Sequence, residues 1–243
     1  MRVSVISDVH ANLCALEAVL AAIDRERPDA VWCLGDVVGY GPQPSSCRAL
    51  VAARTDLCLA GNHDLGALGL LDLDEFSPDA AEAARWTTGV LTEEDRSFLA
   101  ALEPAAILPE AALYHGSPRE PVWEYVLSGE AVLAALELAP RPLVLVGHSH
   151  VPLAVTLLDD EDLTGGLVPA GVEADLSLGR WLLNPGSVGQ PRDGDPRAAW
   201  LLLDLEARRA SFRRVVYPVE ETQRQLRAAG LPGSLVERLA AGT

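Results

Sequence analysis

All five histidines of this 243-residue chain follow short apolar runs, at "SDVH" (His10), "GNHD" (His63), "YHGS" (His115) and "GHSH" (His148 and His150). Asp8, Asp36 of "GDVV" and Asn62 stand at the same kind of position. Imidazoles mixed with carboxylates suit zinc, iron or manganese, whereas an all-oxygen set would favour magnesium or calcium. Asp8, His10, Asp36, Asn62, His115, His148 and His150 are too many ligands for one tetrahedral ion and match two ions that share a carboxylate. Side chains at i and i+2 of an extended segment point the same way, so the spacing predicts that Asp8 and His10, or His148 and His150, face one point. Taken singly each residue has a plainer reading. His115 could be a satisfied surface or capping histidine, Asp36 a turn residue after glycine, and Asn12 and Asn62 helix caps, the expectation for Asn12. As a set, these readings leave the recurrence at strand ends unexplained.

The elements around these residues follow from periodicity. "RVSVIS" reads as a strand, and "NLCALEAVLAAIDRE" repeats apolar residues at Leu13, Leu16, Val19, Leu20 and Ile23, which is helical spacing. "AVWCLG", "SSCRALVAAR" and "DLCLAG" continue as strand, helix and strand. The first 60 residues are therefore βαβαβ, which requires parallel strands joined by right-handed crossovers. In such sheets ligands bind outside the carboxyl ends of the strands, where every histidine is expected and none is expected on a helix face. Residues 65–104 read as helical, either a lid or packing, with Ser77 and Pro78 opening one helix. Further strands are expected at "ALYHG", "PLVLVGH", "LAVTLLD", "RWLLN", "AAWLLLDL" and "ASFRRVVY", with a helix at "GEAVLAALEL" and two short helices from "EETQRQLRAAG" onward. No repeat or linker divides the chain, so a single domain over 1–243 is expected.

Composition narrows the class of partner. The net charge is −16 and every basic residue is a scattered arginine, which disfavours extended nucleic-acid binding. No run approaches the roughly 20 apolar residues of a membrane span, and no secretory leader is evident, so a soluble cytoplasmic protein is expected. Cys14, Cys33, Cys47 and Cys58 lack CxxC spacing and read as reduced structural thiols.

The blocks "DVH", "GD", "GNHD", "HGS" and "GHSH", in this order, resemble the metal-binding blocks of the calcineurin-like metallophosphoesterase superfamily. The stretches "GDVVGYGPQP", "DLDEFSPDA" and "NPGSVGQPRDGDPRAAW" are similar to its bacterial and archaeal single-domain branch. The resemblance implies an α/β fold, a four-layer αββα sandwich of two mixed sheets flanked by helices. It implies that Asp8, His10, Asp36 and His150 bind one metal and Asp36, Asn62, His115 and His148 a second, with Asp36 bridging. His63 matches the family's non-ligand histidine that faces the leaving group. Two divalent ions, most simply manganese, iron or zinc, would activate a hydroxide near pH 7 and stabilise charge on the phosphoryl oxygens.

The substrate expected is a small phosphate ester, a phosphodiester or nucleotide pyrophosphate. A phosphomonoester is the alternative, and a non-catalytic binding module on the same fold is a third. The segment after Asp36 lacks the Asp-Arg-Gly stretch of the family's serine/threonine phosphatases, which argues against a protein substrate. Arg192 and Tyr40 are candidate substrate contacts, by gripping phosphate and stacking a base; solvation of Arg192 and turn packing of Tyr40 are the alternatives. Arg119 is expected to be solvated or ion-paired, and Asn184 of "NPGS" to brace a ligand loop.

Overall fold

A computed structural model describes residues 1–158 and 162–243. One sheet runs β3 (Leu57–Cys58), β2 (Ala30–Cys33), β1 (Arg2–Ile6), β11 (Ala198–Asp204), β12 (Arg209–Val215), β9 (Glu173–Asp175). The other runs β4 (Ala105–Ile107), β5 (Ala112–Tyr114), β6 (Leu143–Val146), β10 (Arg180–Pro185), β7 (Pro152–Leu157), β8 (Leu163–Leu167). Strands β1, β2 and β3 are parallel, joined through α1 (Leu13–Glu26) and α2 (Pro44–Arg54), as the opening periodicity requires. Both sheets are mixed, since β1 pairs antiparallel with β11 while β10 pairs parallel with β6 and antiparallel with β7.

The central strands read as unbroken apolar runs because each buries both faces. In β6, Leu143 and Leu145 point between the sheets, where they meet Val3, Val5, Leu201 and Leu203. Val144 and Val146 point the other way, onto α6 (Gly129–Leu138) through Val132 and Leu136. In the first sheet, Ile6, Trp200 and Leu202 pack instead against Leu16, Val19 and Ile23 of α1. Three apolar layers thus separate helix, sheet, sheet and helix, which makes the chain an αββα sandwich.

Residues 65–104 are helical with interruptions: α3 (Asn62–Ala67), a 3-10 turn (Leu73–Glu75), α4 (Pro78–Val90) and α5 (Glu93–Ala100). Asp95 of α5 accepts from Arg48 Nε of α2 at 2.7 Å and Leu99 is fully buried, so α5 is part of the packing. Ser77 occupies the N-cap of α4 with Pro78 behind it, but its hydroxyl makes no capping bond. Asn12 does cap α1, its side chain accepting from Ala15 N at 3.2 Å.

Three strands escape the periodicity argument. β4 and β9 span three residues each, and β8, "LTGGL", is a largely exposed edge strand with two glycines. The strand expected at 153–159 ends at Leu157, and Asp159 lies outside the described residues. No helix among the described residues is long and apolar enough to cross a membrane. The four cysteines are free, with Cys33 and Cys47 buried. The last helices, α7 (Val219–Ala228) and α8 (Gly233–Ala241), pack Leu226, Leu235 and Leu239 against Tyr40 and against Ala80 and Ala83 of α4. The carboxyl-terminal segment is thereby brought to the end of the sandwich that carries the histidines.

Candidate metal centre and substrate cavity

The loops after β1 and β2 are zipped by backbone bonds from Asp8 N to Gly35 O (3.0 Å) and from His10 N to Asp36 O (2.9 Å). Asp8 O in turn accepts from Gly189 N at 2.9 Å, and Asp8 Oδ1 accepts from His148 N at 3.1 Å. Four segments distant in sequence are therefore tied together before any side chain meets another. Asp8, His10, Asp36, Tyr40, His148 and His150 all adopt positive φ, between 47° and 62°. For L-residues that backbone costs roughly 1–2 kcal/mol each, and it is sustained by the surrounding bonds. The extended-strand argument for Asp8 with His10 and His148 with His150 is therefore wrong in its physics, because these residues sit in left-handed turns. The expectation of no histidine on a helix also fails, since Asn62 and His63 form the first turn of α3. That helix starts there because Asp64 Oδ2 accepts from Gly61 N and Asp64 Oδ1 from Val38 N, both at 2.9 Å.

The structure gathers the seven candidate ligands into two adjoining groups. Asp8, His10, Asp36 and His150 form one, and Asp36, His115 and His148 the other, with ligand atoms within 4.8 Å of one another in each. Asn62 joins the second through Oδ1, 3.2 Å from His115 Nε2. His148 and His150, two residues apart, serve different groups, and Asp36 belongs to both. Backbone carbonyls fix the ring tautomers. His10 Nδ1 lies 3.2 Å from Val38 O, His115 Nδ1 2.8 Å from Leu34 O and His150 Nδ1 2.6 Å from Gln190 O. A carbonyl only accepts, so each Nδ1 carries the proton and each Nε2 faces the centre. His148 is reversed, with Nε2 donating to Trp123 O at 3.1 Å and Nδ1 left for the centre. Each aspartate gives Oδ1 to a backbone amide, Asp36 accepting from His63 N at 2.9 Å, while Asp8 Oδ2 and Asp36 Oδ2 are buried without a partner.

Burial, reinforced by neighbouring cationic groups, pushes His10 and His150 well below the usual imidazole range, so both rings are neutral. Their Nε2 atoms are 3.0 Å apart with no proton between them. Two lone pairs at that distance repel, and a divalent cation is the group that reconciles them with the orphaned carboxylate oxygens. Burial also raises Asp8 to about 7 and lifts Asp36 well above the carboxylate range, Asp64 adding to the latter. His148 is pushed down to about 2, mainly by burial. The donor set fits divalent metal binding.

Next to the second group opens a cavity of about 360 Å³, whose walls include Asn62, His63, Tyr40, Phe76, Trp123 and Tyr125. His63 lies between the centre and this space, its ring centroid 4.9 Å from that of His10 and 4.2 Å from that of Tyr40. Arg192 enters the same cavity, its Nη2 donating to Tyr40 OH at 3.3 Å and to Gln190 Oε1 at 3.1 Å. Tyr40 and Arg192 are thus placed together, the guanidinium carbon 5.7 Å from the ring centroid. Arg119 points elsewhere and is paired with Glu124, Nε to Oε1 at 3.0 Å. Asn184 Nδ2 donates to Gly147 O at 2.7 Å and to Ser149 Oγ at 3.0 Å, bracing the loop that carries both late histidines.

Several residues of the site escaped the sequence reading. Trp123 and Tyr125 carried a weak signal in the aromatic-rich "VWEY" that follows the "HGS" block. Phe76 lies in the "DLDEFSPDA" stretch, where nothing marks it as a cavity wall. Arg238, which also lines the cavity from α8, carried none.

Residues 1–208 match the calcineurin-like phosphoesterase superfamily domain. The chain belongs to that family. Over 99% of its length this phosphoesterase-family chain is 35% identical to an uncharacterised protein of Methanocaldococcus jannaschii, covering 98% of it. The crystal structure of a metallophosphoesterase from Sphaerobacter thermophilus superposes with a TM-score of 0.90 at 45% identity, over 100% of this chain and 99% of that one. A hypothetical protein from Pyrococcus horikoshii shares the fold, with a TM-score of 0.81 at 20% identity over 100% and 98% of the two chains. The family is one of hydrolases, and the His/Asp clusters of this member suit the divalent metals such enzymes use.

Two outcomes follow from this geometry. Asn184→Ala frees the 147–149 loop and should weaken metal affinity by about 10–100-fold, measured by competition with a chelating dye. An unchanged affinity would show that the loop holds itself. Asp8 is protonated below about 7 in the metal-free site and must ionise to bind a cation, whereas His10, His148 and His150 are already neutral. Apparent metal affinity should therefore fall by about tenfold from pH 8 to pH 6, read by competition with a chelating dye, and an affinity independent of pH would remove the protonated Asp8.

Proposed function

We propose that this protein is a metal-dependent phosphoesterase hydrolysing a small phosphodiester or nucleotide pyrophosphate at a dinuclear centre. The observation that carries the reading is the pair of buried donor groups sharing Asp36, with His63 standing between them and a cavity that holds an arginine. Asp8, His10, Asp36 and His150 would hold one ion and Asp36, Asn62, His115 and His148 the other, manganese, iron or zinc being the metals their donors suit. Such ions supply a water acidified to near pH 7 and positive charge at the phosphoryl oxygens.

The chain's own residues do the rest. Arg192 meets a non-bridging phosphoryl oxygen with its guanidinium, and Tyr40 OH and Gln190 Oε1 hold it in that pose. Water adds to phosphorus, the ester P–O bond breaks, and the departing oxygen leaves on the side of His63. Burial, with Arg192 next, holds His63 well below its usual pKa, so before substrate arrives it is a neutral N–H donor to that oxygen. Its Nδ1 is buried without a partner, which leaves the ring free to make such a bond. The aromatic walls beyond His63 give a second substituent on phosphorus somewhere to lie, which favours a diester or pyrophosphate over a monoester. His63 itself argues against a purely binding role, as the residue a non-catalytic relative would dispense with.

His63→Ala should lower kcat on bis(p-nitrophenyl) phosphate by about 10²–10⁴-fold while metal content, measured by elemental analysis, is retained. Undiminished turnover with metal bound would remove His63 from the mechanism. Asp36→Asn should cost both ions, and retention of one would exclude the shared ligand.

A further inference from the structure

Two arginines from unrelated parts of the chain converge on the cavity. Arg192 arrives from the loop after β10, its backbone N bonded to His150 O at 3.4 Å, and Arg238 from helix α8. Among the described residues neither forms an ion pair with an aspartate or glutamate. Arg192 meets only the neutral oxygens of Tyr40, Gln190 and Tyr125, and its buried Nε has no partner. Arg238 donates Nε to Thr243 O at 2.6 Å. Glu75, the carboxylate on the cavity wall, forms an ion pair with neither arginine.

Burial and the charge of Arg192 push Arg238 down from its ordinary value, while Tyr40 and Tyr125 hold Arg192 up against its burial. In a chain of net charge −16, carboxylates are abundant, yet the one on this cavity's wall, Glu75, is ion-paired with neither guanidinium. Like charges held together in an aromatic-walled cavity are the mark of a site whose balancing charge is a bound anion. Helices α7 and α8 hold Arg238 there by packing Leu235 and Leu239 against Tyr40, the residue that also positions Arg192.

We infer that Arg238 extends the phosphate grip of Arg192 into a second anion subsite, which takes a non-scissile phosphoryl group, so that the preferred substrates are phosphoanhydride esters carrying at least two adjacent phosphoryl groups. The inference rests on the phosphoesterase reading above for the place of the scissile group. It adds that the carboxyl-terminal helix takes part in choosing the substrate. A simple diester or monoester reaches Arg192 and leaves Arg238 without an anion.

The test uses the metal-loaded full chain and two non-hydrolysable probes, methylenediphosphonate with two phosphoryl-like groups and methylphosphonate with one. The wild-type protein should bind the first at least about tenfold more tightly than the second. Arg238→Gln should remove most of that preference, weakening methylenediphosphonate by about tenfold and methylphosphonate much less. Arg238→Lys, which keeps the charge, should recover part of the preference, and Arg227→Gln, outside the cavity, should leave it intact. Equal affinities in the wild type overturn the inference without any variant, and so does a parallel loss of both probes in Arg238→Gln. Turnover of bis(p-nitrophenyl) phosphate by the wild-type protein tests the phosphoesterase reading separately. Its absence, together with no turnover of a dinucleoside polyphosphate, alongside a retained preference would sink that reading and leave the anion subsite standing.

Discussion

Lone pairs crowded together without protons to share are the constraint around which this molecule is organised. His10 and His150 present bare Nε2 atoms to each other at 3.0 Å, with the free oxygens of Asp8 and Asp36 beside them. A proton on Asp8 or Asp36, both raised by burial, relieves part of that repulsion, and a divalent cation takes the place of such protons. The carbonyls of Val38, Leu34 and Gln190 keep each Nε2 bare, because by accepting from Nδ1 they forbid the tautomers in which the rings donate to the carboxylates. An arrangement of this kind persists only where the rest of the fold over-determines it.

The over-determination comes from the sandwich. Strands β1, β2, β6 and β10 are buried on both faces, so their ends are fixed to within the tolerance of a packed core. Loops leaving those ends are then joined edge to edge by main-chain bonds such as Asp8 N to Gly35 O and Gly189 N to Asp8 O. Left-handed residues turn the chain sharply enough for short loops to bring donors inward. Glycine is required where backbone and side chain nearly touch. A Cβ on Gly61 would lie 2.0 Å from Asp36 Oδ1, and one on Gly39, at φ +85°, 2.6 Å from His63 Nδ1. Stability from the core is thus converted into a strained polar centre, and the same buried environment that penalises charge there makes a bound cation's field strong.

Function extends outward from this centre by layers of decreasing rigidity. His63 is set by the first turn of α3, Arg192 by Tyr40 and Gln190, and Arg238 by a helix pair packed on Tyr40, on α4 and on α1. On the proposed function, the parts nearest phosphorus would be those fixed by main-chain geometry, while those that would distinguish one ester from another sit on side chains and a carboxyl-terminal helix.

Much of this was legible from the residues alone. Uninterrupted apolar runs identify doubly buried strands, helical spacing identifies α1 and α6, and the histidine, aspartate and asparagine residues at their ends identify the centre, because those properties are local and periodic. Short edge strands such as β8 and β9 were not legible, since their pairing is decided by neighbours rather than by pattern. Nor was the left-handed backbone at Asp8, His10, His148 and His150: the ligands were found through an argument about extended chains that the turns contradict. Composition and spacing by themselves determined which side chains could bind metal and that they lie at strand ends. The family resemblance already implied that Asp36 is shared, whereas tertiary structure alone decided which ring nitrogen each histidine offers, and that Arg238, more than 40 positions from Arg192, enters the same cavity. The physical reason is that a periodic pattern fixes only a residue's face, whereas tautomer, shared ligation and charge convergence depend on atoms brought together by the packing of distant segments.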